Sequence, residues 1–273
     1  MIISRKLNYV IIPILLIVIV IIFYPNNMSK NVDKNLSGKI KIISASHIFF
    51  GHQSVGANII TGLKELNSEQ GSDYILFEKL NNDANLNGSY FVDLNIGNNG
   101  DPEGKFRDFV KNVDFLSDKK LNIAMMKLCF VDITKKSDIQ NIFNSYVKMI
   151  DSLQIKYPNI TFVHFTVPLK SQPTLFNKLK AFIKNRTIDD PADNIARNTY
   201  NELLISKYPA KYVFDIAKEE STYPDNKRES ISVDGVHGYA LIGDYSDDGG
   251  HLNKRGQAII AAGLINKLSQ IIH

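Results

Sequence analysis

HIFFGHQSVG, residues 47–56, is the stretch that decides the fold, because it predicts a strand that turns sharply into a helix. A β-branched and aromatic run over residues 39–50 precedes Gly51, which is typical of a strand that ends in a turn. Apolar residues at helical spacing over residues 55–66 predict the helix that follows. Ser54 would lie at the start of that helix, where unpaired N–H groups and the positive end of the helix dipole stabilise a developing negative charge. A serine there is also a common helix cap, so this stretch alone leaves the role of Ser54 open.

Strands and helices alternate along the rest of the chain. Apolar and β-branched runs predict further strands over residues 74–80, 91–94, 121–130, 160–167 and 212–216. Apolar residues at helical spacing predict helices over residues 106–116, 139–157, 192–208 and 254–272. Between these elements, small and polar residues over 81–104 and 235–250 predict loops. The alternation is typical of an α/β fold with a parallel sheet, in which ligands bind beyond the carboxyl ends of the strands.

The composition excludes several classes of protein. With 273 residues, 44% of them hydrophobic and 22% charged, most of the chain should be globular. The net charge is only +4, and no dense lysine and arginine run is interleaved with aromatic residues, so we expect no nucleic-acid partner. Cys129 is the single cysteine, which excludes an intrachain disulfide. The CxxC and HExxH patterns of metal sites are absent, and we expect no metal ion.

The N-terminal segment predicts a single-pass membrane anchor. Residues 7–24 are almost wholly apolar, about the length that a helix needs to cross a hydrocarbon core of roughly 30 Å. The basic flank at residues 1–6 should stay in the cytoplasm, which places a linker over residues 25–38 and a domain over residues 39–273 on the outer side of the cell membrane. A cleaved signal peptide is an alternative, although residues 22–25 form a poor cleavage site, and a buried soluble helix is another.

A second chemically suggestive pattern stands directly before the last predicted helix. Asp248 and His251 are three residues apart in a loop-like stretch. A carboxylate at that distance can orient the imidazole and fix its tautomer, which leaves the other ring nitrogen to act as a base towards a serine. The alternative is a helix entry, with Asn253 as the cap and His251 as an ordinary polar loop residue.

Together the two patterns resemble the SGNH/GDSL hydrolase family. That family carries its nucleophilic serine just after the first strand, where Gly51-His52-Gln53-Ser54 lacks the family's aspartate and has one extra residue. It ends with Asp-x-x-His before the last helix, which Asp248-Gly249-Gly250-His251 matches. The resemblance implies a flavodoxin-like three-layer α/β/α sandwich with a central parallel sheet. It also implies a catalytic triad of Ser54, Asp248 and His251.

The resemblance further implies an oxyanion hole built from three blocks of sequence. The first donor is the backbone N–H of Ser54. Residues 95–101, NIGNNGD, are similar to the second block and make Gly100 the second donor, with Gly97 in reserve. The third block normally supplies an asparagine after a central strand, but here the asparagine is missing and Cys129 stands nearest its place. A thiol is a weak hydrogen-bond donor, so this site departs from the family pattern.

Other side chains could replace the missing donor. Lys127 and His52 are the candidates, although Lys127 could equally be a solvated charge at a strand end and His52 a locally bonded turn residue. Cys129 could itself be a nucleophile, or a small buried residue at the end of an apolar strand.

The function that the resemblance implies is that of a serine esterase or O-acyltransferase without a metal or organic cofactor. With an outward-facing domain, we expect an acylated small molecule or polysaccharide of the cell envelope or extracellular matrix as the substrate. One alternative is a catalytically inactive SGNH-like domain that binds glycans. Another is an unrelated α/β interaction module, in which Ser54 and His251 would lie more than about 10 Å apart, because a triad needs hydrogen-bond distances near 3 Å.

Overall fold

The computed structural model describes residues 35–70, 74–80, 86–173 and 190–272. The predicted cytoplasmic flank over residues 1–6, the predicted anchor over 7–24 and most of the predicted linker lie outside these residues. Within the described ranges, no helix combines the length and the hydrophobicity that crossing a membrane requires.

A six-stranded sheet forms the centre of the domain, and every pair of neighbouring strands in it is parallel. Its strands in chain order are β1 His47–His52, β2 Phe77–Glu78, β3 Tyr90–Asn95, β4 Ile123–Met126, β5 Thr161–Phe165 and β6 Val213–Phe214. Their order across the sheet is β2-β3-β1-β4-β5-β6. Without the two-residue edge strand β2, this is the flavodoxin-like order, and the direction of winding reverses beside β1. The predicted α/β architecture is confirmed, and the residues after β1 lie at the switch point where such folds bind ligands.

Helices cover both faces of the sheet. Their bounds are α1 Leu36–Ile43, α2 Val55–Ser68, α3 Pro102–Ser117, α4 Ile139–Lys156, α5 Pro191–Lys207, α6 Ile216–Ser221 and α7 Lys254–Ile272. One hydrophobic core lies under α1, α2 and α7, and a second lies under α3, α4 and α5. Alternate residues of β1 feed the two cores, with Ile48 and Phe50 in the first and Phe49 in the second, as the two-residue period of a strand requires.

The predicted strand over residues 39–50 is wrong in its first half. Residues 36–43 form α1, and the strand begins only at His47. Leu36, Ile40 and Ile43 recur at intervals of four and three and are all buried, so the helical period outweighs the β-branched content of this run. The domain therefore includes residues that were expected to belong to the linker.

The predicted loop over residues 235–250 begins inside a hairpin. Strand β7, Ser230–Val233, pairs antiparallel with β8, Val236–Tyr239. The two turn residues, Asp234 and Gly235, both have positive φ angles of 50° and 82°. Asp-Gly between strands is a strong sequence signal for such a turn, because it tolerates this left-handed backbone.

Candidate active site

Ser54 occupies the turn between β1 and α2 with a strained backbone. Its φ of 55° and ψ of −108° lie in a region that residues with a side chain rarely adopt. The Ser54 carbonyl accepts the N–H of Ala57 at 2.8 Å, which begins the helix. Among the described residues, no group accepts a hydrogen bond from the Ser54 N–H. The turn thus presents the side chain and a free N–H at the amino end of a helix.

Gly56 makes this turn sterically feasible. A Cβ placed at residue 56 would lie 2.3 Å from the Cβ of His52. No side chain fits at that distance, so the tight turn from strand to helix requires glycine.

Three side chains form a continuous hydrogen-bonded chain at the carboxyl end of the sheet. The Ser54 Oγ lies 2.6 Å from Nε2 of His251. Nδ1 of the same ring lies 2.6 Å from Oδ2 of Asp248. These are the distances of a nucleophile, base and orienting carboxylate, so the structure brings together the three residues expected to form the triad. This contact argues against the alternative in which Ser54 and His251 lie far apart.

Asp248 uses its other oxygen to shape the loop that carries the histidine. Oδ1 accepts the N–H groups of Gly250 at 2.9 Å and His251 at 2.8 Å, together with the Ser246 hydroxyl at 3.2 Å. Burial alone would raise the pKa of Asp248, but hydrogen bonds from the His251 side chain and from backbone N–H groups lower this pKa to about 2. Asp248 therefore remains ionised at neutral pH, as an orienting carboxylate requires.

Two further contacts fix the His251 loop against the domain. Asn58, one turn into α2, accepts the N–H of Leu252 at 3.1 Å and so ties the loop to the helix that begins at Ser54. The ring of Phe130 contacts the His251 ring edge-on, with 5.7 Å between the ring centroids. One contact thus fixes the backbone next to His251, and the other fixes the imidazole ring.

In the second block, both N–H groups that were predicted as oxyanion donors contact a carboxylate. The N–H of Gly100 donates to Oδ1 of Asp132 at 2.7 Å, and the N–H of Gly97 donates to Oδ2 of Asp108 at 2.8 Å. Both N–H groups already have an acceptor, so neither is a free donor in this structure. The Ser54 N–H is the one predicted backbone donor that has no acceptor among the described residues.

A buried carboxylate explains why the Gly100 N–H is occupied. Asp132 also accepts the N–H of Cys129 at 2.6 Å and Nζ of Lys105 at 2.5 Å, and the side chains of Asp132 and Lys105 are both fully buried. One carboxylate therefore connects the second block, the third block and α3.

Cys129 lies beside the nucleophile turn, at the place expected for the third block. Its side chain is fully buried, and Sγ lies 3.5 Å from the carbonyl oxygen of Gln53 and 3.5 Å from Nζ of Lys127. Burial of this kind fits the interpretation of a small structural residue better than that of a nucleophile.

The two candidate substitutes for the missing asparagine are both buried. Nζ of Lys127 donates to the Leu128 carbonyl at 3.2 Å, and burial lowers the pKa of this amine. The His52 ring contacts Asp93 through Nε2 at 3.3 Å, and burial lowers the pKa of the imidazole. Since both groups lie in the interior, neither substitution is supported by this geometry.

Several residues of the site were missed in the sequence. Asn58, Phe130 and Asp132 act through contacts between distant segments, and no local pattern predicts such contacts. Ser246 had a detectable signal, because a hydroxyl two residues before an aspartate commonly bonds to it or to the following backbone. In the described part of the chain, no three histidine, cysteine or acidic residues are grouped in a way that could hold a metal ion.

Comparison with known proteins gives similarities at the level of structure only. No protein-family model matches the chain, and no curated protein matches it. A chain from Desulfitobacterium hafniense assigned to the lipolytic G-D-S-L family is 12% identical, with a TM-score of 0.46 over 82% of this chain and 99% of that one. The periplasmic domain of a lipopolysaccharide acetyltransferase from Salmonella Paratyphi A is 13% identical, with a TM-score of 0.45 over 85% and 87%. A carbohydrate esterase of family 3 from Talaromyces cellulolyticus is 15% identical, with a TM-score of 0.46 over 83% and 97%.

Proposed function

We propose that the chain is a serine hydrolase of the SGNH/GDSL type that acts on an O-acyl ester. The observation that carries this proposal is the hydrogen-bonded chain from Ser54 through His251 to Asp248, placed at the switch point of a flavodoxin-like sheet. Serine, histidine and aspartate in this order at these distances are the parts needed for nucleophilic acyl transfer.

The geometry supports the following steps. Nε2 of His251 removes the proton of the Ser54 hydroxyl as Oγ attacks the ester carbonyl, and the imidazolium is stabilised by Asp248. Collapse of the tetrahedral intermediate expels the alcohol, which takes the proton from His251 and leaves an acyl-enzyme. Water, activated by the same imidazole, then releases the acid. A sugar hydroxyl in place of water would make the enzyme an acyltransferase.

Of the backbone donors predicted from the sequence, the N–H of Ser54 at the amino end of α2 is the one without an acceptor among the described residues. Removal of one oxyanion donor typically costs about 10²–10³ in turnover. Because the Gly100 N–H is occupied and the third-block asparagine is absent, we expect turnover to lie about this factor below that of a complete site.

The substrate and the location follow from the same proposal. We propose that residues 7–24 anchor the chain in the cell membrane and that the domain faces outward, where an acylated polysaccharide of the envelope or matrix is the substrate. The hydrophobicity of residues 7–24 and the basic flank support the anchor.

The test is hydrolysis of p-nitrophenyl acetate and butyrate by the full chain in detergent micelles. We expect activity in the parent and loss of at least about 10³-fold in both Ser54→Ala and His251→Ala. Cys129→Ala is the matched control, because it removes the other nucleophilic side chain near the turn and should keep most of the activity. Full activity in Ser54→Ala would refute the serine mechanism.

A second candidate is a glycan-binding domain without catalysis. The occupied Gly100 N–H favours it, because the loss of this donor removes part of the transition-state stabilisation. This candidate predicts that the chain binds an acetylated polysaccharide without releasing acetate and that Ser54→Ala binds equally well.

A further inference from the structure

The side chain of Gln53 joins the nucleophile turn to the second block. Its Nε2 donates to the carbonyl oxygen of Gly97 at 2.8 Å and, over a longer contact of 3.4 Å, to that of Ile96. Carbonyl oxygens only accept hydrogen bonds, so Nε2 rather than Oε1 faces them, and the orientation of the amide is fixed. The residue that directly precedes Ser54 is thereby bound to the loop that follows β3.

The backbone of Gln53 contacts two further parts of the site. Its carbonyl oxygen accepts the N–H of Gly56 at 3.0 Å, within the turn that leads into α2. The same oxygen lies 3.5 Å from Sγ of Cys129, the residue at the place of the third block. Gln53 therefore contacts the start of α2, the second block and the third block, and Ser54 follows it directly in the chain.

The residue that the Gln53 side chain binds is itself closely packed. Gly97 has a φ of 50°, and its N–H donates to Oδ2 of Asp108 on α3 at 2.8 Å. A Cβ at this position would lie 2.6 Å from the backbone nitrogen of Lys105, so the loop approaches α3 too closely for any side chain. Because its N–H is bound to α3 and its carbonyl to Gln53, Gly97 connects the nucleophile turn to that helix.

The backbone strain at Ser54 explains why such a contact is needed. A residue with a φ of 55° and a ψ of −108° keeps this conformation only where the surrounding structure holds it. On its carboxyl side, the Ser54 carbonyl is bound into α2 by the N–H of Ala57. On its amino side, β1 ends at His52, whose carbonyl accepts the N–H of Ile96 at 3.0 Å. The amide of Gln53 is the next contact along the chain, between the end of the strand and the strained serine.

We propose that Gln53 is a positioning residue for the nucleophile. Its amide holds the turn against Gly97, so that Oγ of Ser54 stays 2.6 Å from Nε2 of His251. This inference rests on the proposed function and goes beyond it, because Gln53 takes no part in the bond changes of the reaction. Gln53 acts on turnover through the position of Ser54 alone.

The first test is Gln53→Glu, which keeps the size of the side chain. At about pH 8 its carboxylate cannot donate to the two carbonyl oxygens and repels them, so the turn should shift. We expect kcat for p-nitrophenyl acetate, measured with the full chain in detergent micelles, to fall about tenfold to a hundredfold with KM unchanged, because a nucleophile displaced by about 1 Å loses that much.

The pH dependence of Gln53→Glu distinguishes positioning from a general loss of structure. The protonated carboxyl can donate again, and the facing carbonyl oxygens raise its pKa above the ordinary value of about 4.3. The ratio of kcat in the variant to kcat in the parent should therefore rise as the pH falls from about 8 to about 5. A ratio is used because the titration of His251 affects both proteins.

Two further variants complete the comparison. Gln53→Met fills the same space without a donor and should show the loss of kcat at every pH. Gln140→Glu is the matched control, because Gln140 is an exposed glutamine on α4 whose Nε2 donates to Asn144, and its ratio should stay near one. Parent-like kcat in both Gln53→Met and Gln53→Glu at about pH 8 would overturn the inference.

Hydrogen–deuterium exchange separates this failure from failure of the proposed function. The N–H groups of Gly56 and Ala57 are bonded to the carbonyls of Gln53 and Ser54, so their exchange reports on the turn without any catalysis. In Gln53→Met, exchange over residues 53–60 should be about tenfold faster than in the parent, with β4 unchanged. If the parent has no turnover, faster exchange confined to the turn would refute the hydrolase and retain the role of Gln53. Unchanged exchange in such a parent would refute that role as well.

Discussion

Replacing Asp248 by asparagine separates the two tasks of this side chain. Oδ1 accepts hydrogen bonds from the backbone of Gly250 and His251 and from Ser246, whereas Oδ2 accepts only Nδ1 of the His251 ring. The carbonyl oxygen of asparagine can replace Oδ1, so the loop should keep its conformation. Its NH₂ group would replace Oδ2 and present a donor to Nδ1, which stabilises the tautomer with the proton on Nε2. In that tautomer the ring cannot accept the proton of Ser54.

The expected effect on turnover is large and the expected effect on stability is small. Loss of the correct tautomer costs about 10⁴ in kcat, or roughly 5 kcal/mol of transition-state stabilisation. Lowering the pKa of Asp248 from 3.8 to about 2 corresponds to at most about 2.5 kcal/mol of folding free energy. Since the side chain is 57% exposed, screening by solvent reduces this to about 1 kcal/mol or less. Because the folded pKa is depressed, this stability is present above pH 3.8 and is lost as the pH falls towards 2.

The assay is hydrolysis of p-nitrophenyl acetate by Asp248→Asn and the parent, together with urea unfolding of both at pH 7. Asp244→Asn is the control, because Asp244 is an exposed carboxylate on the same segment that does not contact the triad. A variant that retains more than about one tenth of the parent kcat would refute the assignment of Asp248 as the orienting carboxylate. A large loss of stability would instead show that the loop had collapsed.

The remaining predictions concern stability and are measured by urea unfolding. Gly56→Ala should destabilise the domain by about 1–3 kcal/mol, because the new Cβ would lie 2.3 Å from the Cβ of His52. An unchanged unfolding free energy would show that the turn can move to accommodate the methyl group. Lys105→Met should cost about 3–5 kcal/mol, because it leaves the buried Asp132 carboxylate without its cation, and Lys105→Met/Asp132→Asn should recover much of that loss. Burial raises the pKa of Glu220 to about 8, so the unfolding free energy of the parent should fall as the pH rises from 4.5 to about 8. In Glu220→Gln the unfolding free energy should depend less on pH over this range. An equally steep pH dependence in the variant would contradict the raised pKa of Glu220.

Local patterns were sufficient to predict the sheet, most helices and the three residues that lie in hydrogen-bonding contact at Ser54. The amphipathic helix predicted over residues 139–157 matches α4 almost to the residue, because its apolar period is regular and Asp138 caps its start. Ser54 and His251 were predictable because a serine after the first strand and Asp-x-x-His before the last helix are each encoded within a few residues.

Features that depend on contacts between distant segments could not be predicted in this way. Gly100 was expected to donate to a substrate, but the direction of its N–H is determined by Asp132, 32 positions further along the chain. Asn194, Arg197 and Asn201 of α5 are buried and contact segments distant in sequence, and no local pattern predicts such contacts of polar residues. The strand expected over residues 39–50 failed for a different reason, since its β-branched residues also fit a helix and packing against α7 favours the helix.

The two ends of the domain meet on one face of the sheet. Ser54 stands at the start of α2, His251 precedes α7, and both helices share the core with α1, where Nζ of Lys39 also donates to Asn266 at 2.8 Å. During synthesis, the nucleophile therefore leaves the ribosome almost 200 residues before its base. Until α7 emerges and docks, the nascent chain carries a serine that has no partner to activate it. Under the proposed mechanism, hydrolysis therefore begins only after α7 has been made and has docked, and a chain cut short before α7 lacks the proposed base.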